Sequence, residues 1–188
     1  MAIKKSQLYS KLWAACDELR GGMDASQYKD YVLVVLFIKY LSDKKKSGDG
    51  TLLIDLPDGC SFDDLVALKN KSRFEITESD GSVRTTGIGE MVNIMLGKIA
   101  DANPDLKDVI TNADFADESK LGKGKDLVVT VSGLIGVFQD DDLDFSNNRA
   151  ADDDLIGDAY EYLMKNFATQ SGKSKGQFYT PAEVSRVM

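Results

Sequence analysis

Residues 88–104, IGEMVNIMLGKIADANP, decide the fold class. Ile88, Met91, Val92, Met95, Leu96 and Ile99 recur at the i, i+3, i+4, i+7, i+8 spacing that lays one apolar stripe along an α-helix. Asn103-Pro104 ends the stripe, because a residue preceding proline is pushed out of the helical region. The same periodicity recurs on both sides. Leu8, Leu12, Cys16 and Leu19 make a first helix, with Ser6 placed to cap it and Gly21-Gly22 to stop it. Asp24 followed by Gln27 has capping-box spacing and opens a second helix carrying Tyr28, Val32, Val35, Leu36 and the stretch from Lys39 to Leu41. The β-branched run Val32, Val34, Val35 also fits a buried strand. Helix is preferred because the apolar pattern exceeds strand length and no turn residue interrupts it between Tyr28 and Leu41. The polar stretch 44–50, KKKSGDG, then ends the element.

Ser61 and Asp64 open a short third helix from Phe62 to about Lys69, and the segment from Arg73 to Thr86, with turn chemistry at Asp80-Gly81, is a loop or a small hairpin. Leu127, Val131, Leu134, Ile135 and Phe138 mark a further helix, although Gly133 and Gly136 each weaken it by about 1 kcal/mol relative to Ala. Close helix packing is a reason to keep them. Ile156, Ala159, Tyr160, Leu163 and Phe167 mark the sixth helix, and the basic loop 171–176 follows. At the chain end Thr180, Pro181 and Glu183 combine a capping box with proline at the first helical position. The apolar Val184, Val187 and Met188 of that short helix need a surface that the preceding sequence does not supply. A second domain is therefore expected to begin near Gln177 and to continue past Met188.

Composition narrows the function. The chain has 188 residues, 43% of them hydrophobic and 29% charged, which suits a globular domain rather than a disordered one. The run from Val32 to Ile38 is far shorter than the ~20 residues a membrane span requires, and residues 1–10 have no signal-peptide apolar region; a cytoplasmic, membrane-free location is expected. Cys16 and Cys60 form no CxxC pair and suggest neither a disulfide framework nor a zinc site. Histidine is absent, which removes the commonest general base and the Ser-His triads. A net charge of −8 disfavours a free-standing nucleic-acid binder, since Lys and Arg supply most phosphate affinity. The charge is uneven, however. Residues 101–158 hold 15 acidic and five basic side chains, whereas residues 165–188 hold four basic and one acidic.

Nearby motifs do not complete themselves. Gly172-Lys173-Ser174 looks like the end of a phosphate-binding loop, but the required first glycine falls on Phe167. Gly122 and Gly124 begin a dinucleotide pattern whose third glycine falls on Leu127. Asp140, Asp142 and Asp144 imitate a calcium loop, yet Phe145 and Ala151 stand where glycine and glutamate belong. That aspartate cluster is expected to be a solvated loop.

Two stretches together resemble one family. Residues 12–21, LWAACDELRG, with 28–33, YKDYVL, and 36–43, LFIKYLSD, resemble the opening of type I restriction-modification methyltransferase subunits. Residues 157–163, GDAYEYL, with 176–184, GQFYTPAEV, resemble the junction between that family's helical domain and its catalytic domain. Residues 48–148 resemble the family only loosely.

The resemblance implies a mainly α fold, a helical bundle of about six helices cut off at the start of an α/β methyltransferase domain. It places the helical domain at residues 1–170 and a linker with the beginning of the methyltransferase domain at 171–188. It implies methyl transfer from S-adenosylmethionine to the exocyclic N6 of adenine in duplex DNA. Implied partners are a DNA-specificity subunit, a restriction subunit and a second modification subunit. Gln177, Phe178, Tyr179, Thr180, Pro181 and Ala182 correspond to the element beside the methionine end of the cofactor; helix N-terminal N–H groups and aromatic faces suit a carboxylate and a sulfonium. Lys44, Lys45, Lys46, Lys173 and Lys175 are the candidate phosphate contacts. The family's glycine-rich cofactor loop and its Asn-Pro-Pro-aromatic element would lie beyond Met188, so this segment is expected to be catalytically silent alone, with no catalytic or metal-binding residues of its own. Two alternatives remain open: a non-catalytic helical adaptor whose acidic face binds a protein, and a single-chain restriction-methylation fusion.

Overall fold

A computed structural model describes residues 3–48, 54–78, 80–141, 143–146 and 155–170. The described chain is mainly α-helical, as the periodicity requires, with one antiparallel hairpin. Helix α1 spans Lys5–Glu18 and buries Leu8, Leu12, Ala15 and Cys16. It begins two residues earlier than Ser6 would dictate: the Lys4 amide donates to Gln7 Oε1 at 3.1 Å, so Ser6 sits in the first turn instead of capping it. Gly21, at φ 102°, takes the left-handed conformation that ends the element.

Helix α2 spans Ala25–Lys46 and opens at Asp24 with Gln27 in the capping-box position. Tyr31, Val32, Val34, Val35, Leu36, Ile38 and Leu41 are all buried. Those positions wrap most of the helix circumference, and this explains the strand-like run of apolar residues: a helix covered on every side needs no polar face. It also runs on through Lys44, Lys45 and Lys46, which sequence reading assigned to a terminating stretch. Ser42 Oγ donates to Ile38 O at 2.7 Å, Lys39 pairs with Asp43 one turn on, and lysines in the last turn complement the helix dipole.

Helix α3, Phe62–Ala67, is capped reciprocally by Ser61 and Asp64. Strands β1, Phe74–Thr77, and β2, Val83–Thr86, pair antiparallel with Phe74 opposite Thr86, so the hairpin alternative holds. Gly81, at φ 83°, supplies the turn. Helix α4, Ile88–Ala102, buries Ile88, Val92, Met95, Leu96 and Ile99 as the spacing demands. Three short pieces were not legible from periodicity: a 3₁₀ turn at Pro104–Leu106, α5 at Lys107–Ile110 and α6 at Glu118–Leu121. Helix α7 spans Lys125–Val137 and α8 spans Leu155–Gln170.

Helices α1, α3, α7 and α8 all pack on α2, α8 most extensively, and α4 packs on α7. Ala159 and Leu163 of α8 are buried in the core they share with α2, and Tyr9 of α1 stacks on Tyr162 of α8 with ring centroids 4.3 Å apart. The stretch after α7 is not simply a solvated acidic loop. Leu143 and Phe145 are fully buried, while Asp140 pairs with Lys11 and Asp144 accepts from the Ser146 amide at 2.8 Å. The aspartates flank two core residues. No described helix is long and apolar enough to cross a membrane.

Gly89 permits the closest approach in the core: a Cβ there would lie 2.1 Å from the Phe115 carbonyl oxygen. Gly89→Ala is therefore expected to cost about 1–3 kcal/mol by urea denaturation, because backbone must move. Gly97→Ala on the same helix, with open space around the added methyl, should be neutral or stabilise by up to ~1 kcal/mol. Equal effects of the two substitutions would contradict this packing.

Candidate functional site

Charged and polar side chains gather where α2 ends. Lys44, Lys45 and Lys46 follow one another there, and the helix directs them to three different surroundings. Lys44 is only 9% exposed, and its ammonium lies 5.8 Å from the centroid of the Tyr40 ring. Lys45 is exposed, and its Nζ donates to the Leu56 carbonyl at 2.7 Å. Lys46 pairs with Asp63 at 2.6 Å, with side chains 55% and 67% exposed. Exposed pairs of that kind contribute roughly 0–1 kcal/mol, so a phosphate can replace Asp63 as the partner of Lys46 at little cost. Lys45 and Lys46 border a cleft of about 290 Å³ that Ser42, Leu56, Pro57, Asp58, Gly59, Ser61 and Asp64 complete.

Ser42 and Asp43, just upstream, were not singled out from the sequence. Ser42 Oγ accepts from the Phe62 amide at 2.7 Å, and Asp43 accepts from the Phe145 amide at 3.1 Å. The Lys39/Asp43 spacing of four was the available sequence signal; what it could not reveal is that the Asp43 end of the pair is buried. Lys39 also places its ammonium 5.2 Å from the Phe62 ring centroid.

A second concavity of about 590 Å³ opens between α2, α5 and α8. It is lined mostly by apolar side chains, among them Leu33, Phe37, Ile110 and Ile156, with the Lys29–Asp30 pair and Tyr160 also contributing. Among the described residues no group of three or more His, Cys, Asp or Glu is placed to hold a metal. Lys173, Lys175 and the six positions from Gln177 to Ala182 lie outside the described residues.

The two thiols are structural. Burial pushes Cys16 up to about 12, with Asp17 adding to the effect, and burial likewise raises Cys60. Burial also raises Tyr31 to about 12, and its hydroxyl donates to the Asp114 carbonyl at 3.0 Å.

The order of elements defines a class: a mainly α-helical domain with one small hairpin. Residues 8–132 match the HsdM N-terminal domain family and residues 151–188 match the N-6 DNA Methylase family. The chain is 25% identical over 214 residues to the type I restriction enzyme MpnII methylase subunit of Mycoplasma pneumoniae, covering 98% of this chain and 39% of that protein. It is 32% identical over 209 residues to the MjaVII methylase subunit of Methanocaldococcus jannaschii, covering 98% and 31% respectively. The fold matches a crystal structure of the type I restriction-modification methyltransferase subunit from Streptococcus thermophilus with a TM-score of 0.68 at 24% identity, over 98% of this chain and 43% of that one. The chain belongs to the HsdM N-terminal domain family of type I restriction-modification methylase subunits. It spans between 31% and 39% of the length of the two curated relatives named here.

The thiolate is the reactive form of cysteine, so both thiols should resist an aromatic disulfide reagent at pH 8 until the protein is unfolded. Because the folded values of Cys16 and Tyr31 are raised above the ordinary 9.0 and 10.0 to about 12, the stability they contribute is complete below pH 9. It is lost as pH rises toward 12, because the unfolded chain ionises first. Rapid native-state labelling, or a urea midpoint that does not fall above pH 9, would contradict the burial described.

Proposed function

We propose that this chain is the N-terminal part of a modification subunit that, as a longer polypeptide, methylates N6 of adenine in duplex DNA using S-adenosylmethionine. One observation carries the reading: a helical-domain family match followed in the same chain by an N-6 DNA methylase match. The helical domain covers residues 1–170, and 171–188 form the linker and the beginning of the methyltransferase domain. The extensive packing of α8 on α2 supports assigning that helix to the helical body.

On this reading the helical domain holds duplex DNA against the catalytic domain and touches a second modification subunit. A DNA-specificity subunit selects the target, a restriction subunit can join, and the assembly works in the cytoplasm. Lys45 and Lys46 are the phosphate contacts best supported by exposure, with Lys173 and Lys175 joining them from the basic tail. Lys44 supports the same helix end from beneath, against Tyr40. S-adenosylmethionine supplies the methyl group. Gln177, Phe178, Tyr179, Thr180, Pro181 and Ala182 would hold its methionine end through helix N-terminal amides and aromatic faces.

The test uses the full-length subunit assembled with its specificity subunit. Labelled methyl transfer should yield N6-methyladenine, and methylcytosine as the product would overturn the reading. Each phosphate contact removed should reduce the slope of log K against log salt by about 0.9. Lys45→Ala with Lys46→Ala should therefore flatten it by about 1–2, and an unchanged slope would show that these lysines do not touch DNA.

A further inference from the structure

Ser42 and Asp43 are consecutive residues near the end of α2, and each holds a segment distant in sequence. Ser42 receives the amide of Phe62 and Asp43 that of Phe145. The Asp43 carboxylate is itself fixed: Lys39 Nζ lies 2.9 Å from Oδ1 and 2.8 Å from Oδ2, with side chains only 14% and 7% exposed. The Phe145 ring meets Tyr40 edge-on at 5.6 Å, so residues 40 and 43 clasp both the backbone and the side chain of position 145. A buried ion pair adds little stability over well-packed apolar residues. What it adds is direction.

That direction matters because of where Phe145 sits. The N-6 DNA methylase match begins at residue 151, six positions further on, and α8 then packs against the same helix α2. The α8 contact with α2 is largely apolar, with Ala159 and Leu163 buried, and apolar burial is non-directional. It tolerates sliding that a charged acceptor at a fixed backbone amide does not. We propose that Asp43 is a positioning residue, whose Lys39-held carboxylate fixes the chain at Phe145 and thereby sets the register at which the methylase segment is carried on the helical body. This rests on the reading of the chain as part of a DNA methylase. A shift of about 1 Å far from the chemistry can cost as much as 100-fold in rate.

Two double variants of the full-length subunit, assembled with its specificity subunit, separate positioning from packing. Lys39→Met with Asp43→Leu keeps the site filled and neutral but removes the acceptor. Lys39→Met with Asp43→Asn is also neutral yet retains a carbonyl oxygen for the Phe145 amide. The first should speed hydrogen exchange at the Phe145 amide at least about tenfold while leaving the global urea midpoint near that of the wild type. It should also lower kcat/KM for duplex DNA about tenfold, with S-adenosylmethionine affinity unchanged. The Asn variant should stay within about threefold of wild type in both readouts. Identical behaviour of the two variants, or a freed Phe145 amide with wild-type kcat/KM, overturns the proposal. A wild-type assembly that transfers no methyl group overturns instead the reading beneath it. That failure is recognised because Phe145 exchange responds to the loss of the acceptor in either case.

Discussion

The structure depends on the burial of α2 around nearly its whole circumference. Tyr31, Val32, Val35, Leu36, Ile38 and Leu41 leave almost no surface of its middle turns in water, and α1, α3, α7 and α8 each bury their own apolar stripes against it or beside it. Each large apolar side chain removed from water contributes roughly 1.5–3 kcal/mol, and among the described elements α2 buries the most of them. The remaining helices are amphipathic because they have a broad outside; the middle of α2 is open only along the concavity that Leu33 and Phe37 line.

The ends of that helix carry the polar chemistry. At the end of α2, Ser42 and Asp43 turn inward to satisfy the amides of Phe62 and Phe145 and Lys39 pairs with the Asp43 carboxylate, while Lys45 and Lys46 lie at the surface and Lys44 is covered beside Tyr40. One helix end thus couples a basic surface to the two segments that enter α3 and approach α8. The side chains proposed to meet a phosphate and those that hold Phe62 and Phe145 are neighbours on the same turns.

Much of this was legible from residue spacing. The stripe from Ile88 to Ile99 forms the helix it specifies, and the Asp24/Gln27 and Ser61/Asp64 pairs mark where α2 and α3 begin, because capping obeys local rules that neighbours rarely override. The end of α2 was misjudged. A run of three lysines signals solvent when read locally, and the burial of Lys44 depends on tertiary surroundings that no spacing encodes. Phe145 was hidden for the opposite reason: aspartates on either side disguise Leu143 and Phe145 as part of a solvated loop, when they alternate inward as core residues. The pieces α5 and α6, four residues each, are too short to show a period. Of the expected site residues, only Lys44, Lys45 and Lys46 fall among the described positions. The family likeness rested on short stretches at either end of the chain, and the matches at 8–132 and 151–188 extend it over most of the sequence.

The boundary between those two matches falls before α8, yet α8 shares its core with α1 and α2. By sequence the helix belongs to the methylase segment, and by packing it belongs to the helical body. Because that core is shared, the two cannot melt separately. Urea unfolding of the chain, followed at once by the fluorescence of Trp13 in α1 and by a dye attached at the exposed Tyr160 position of α8, tests this most directly. The account predicts one cooperative transition with coincident midpoints from both probes; a dye signal that is lost at lower urea while Trp13 remains native would contradict it.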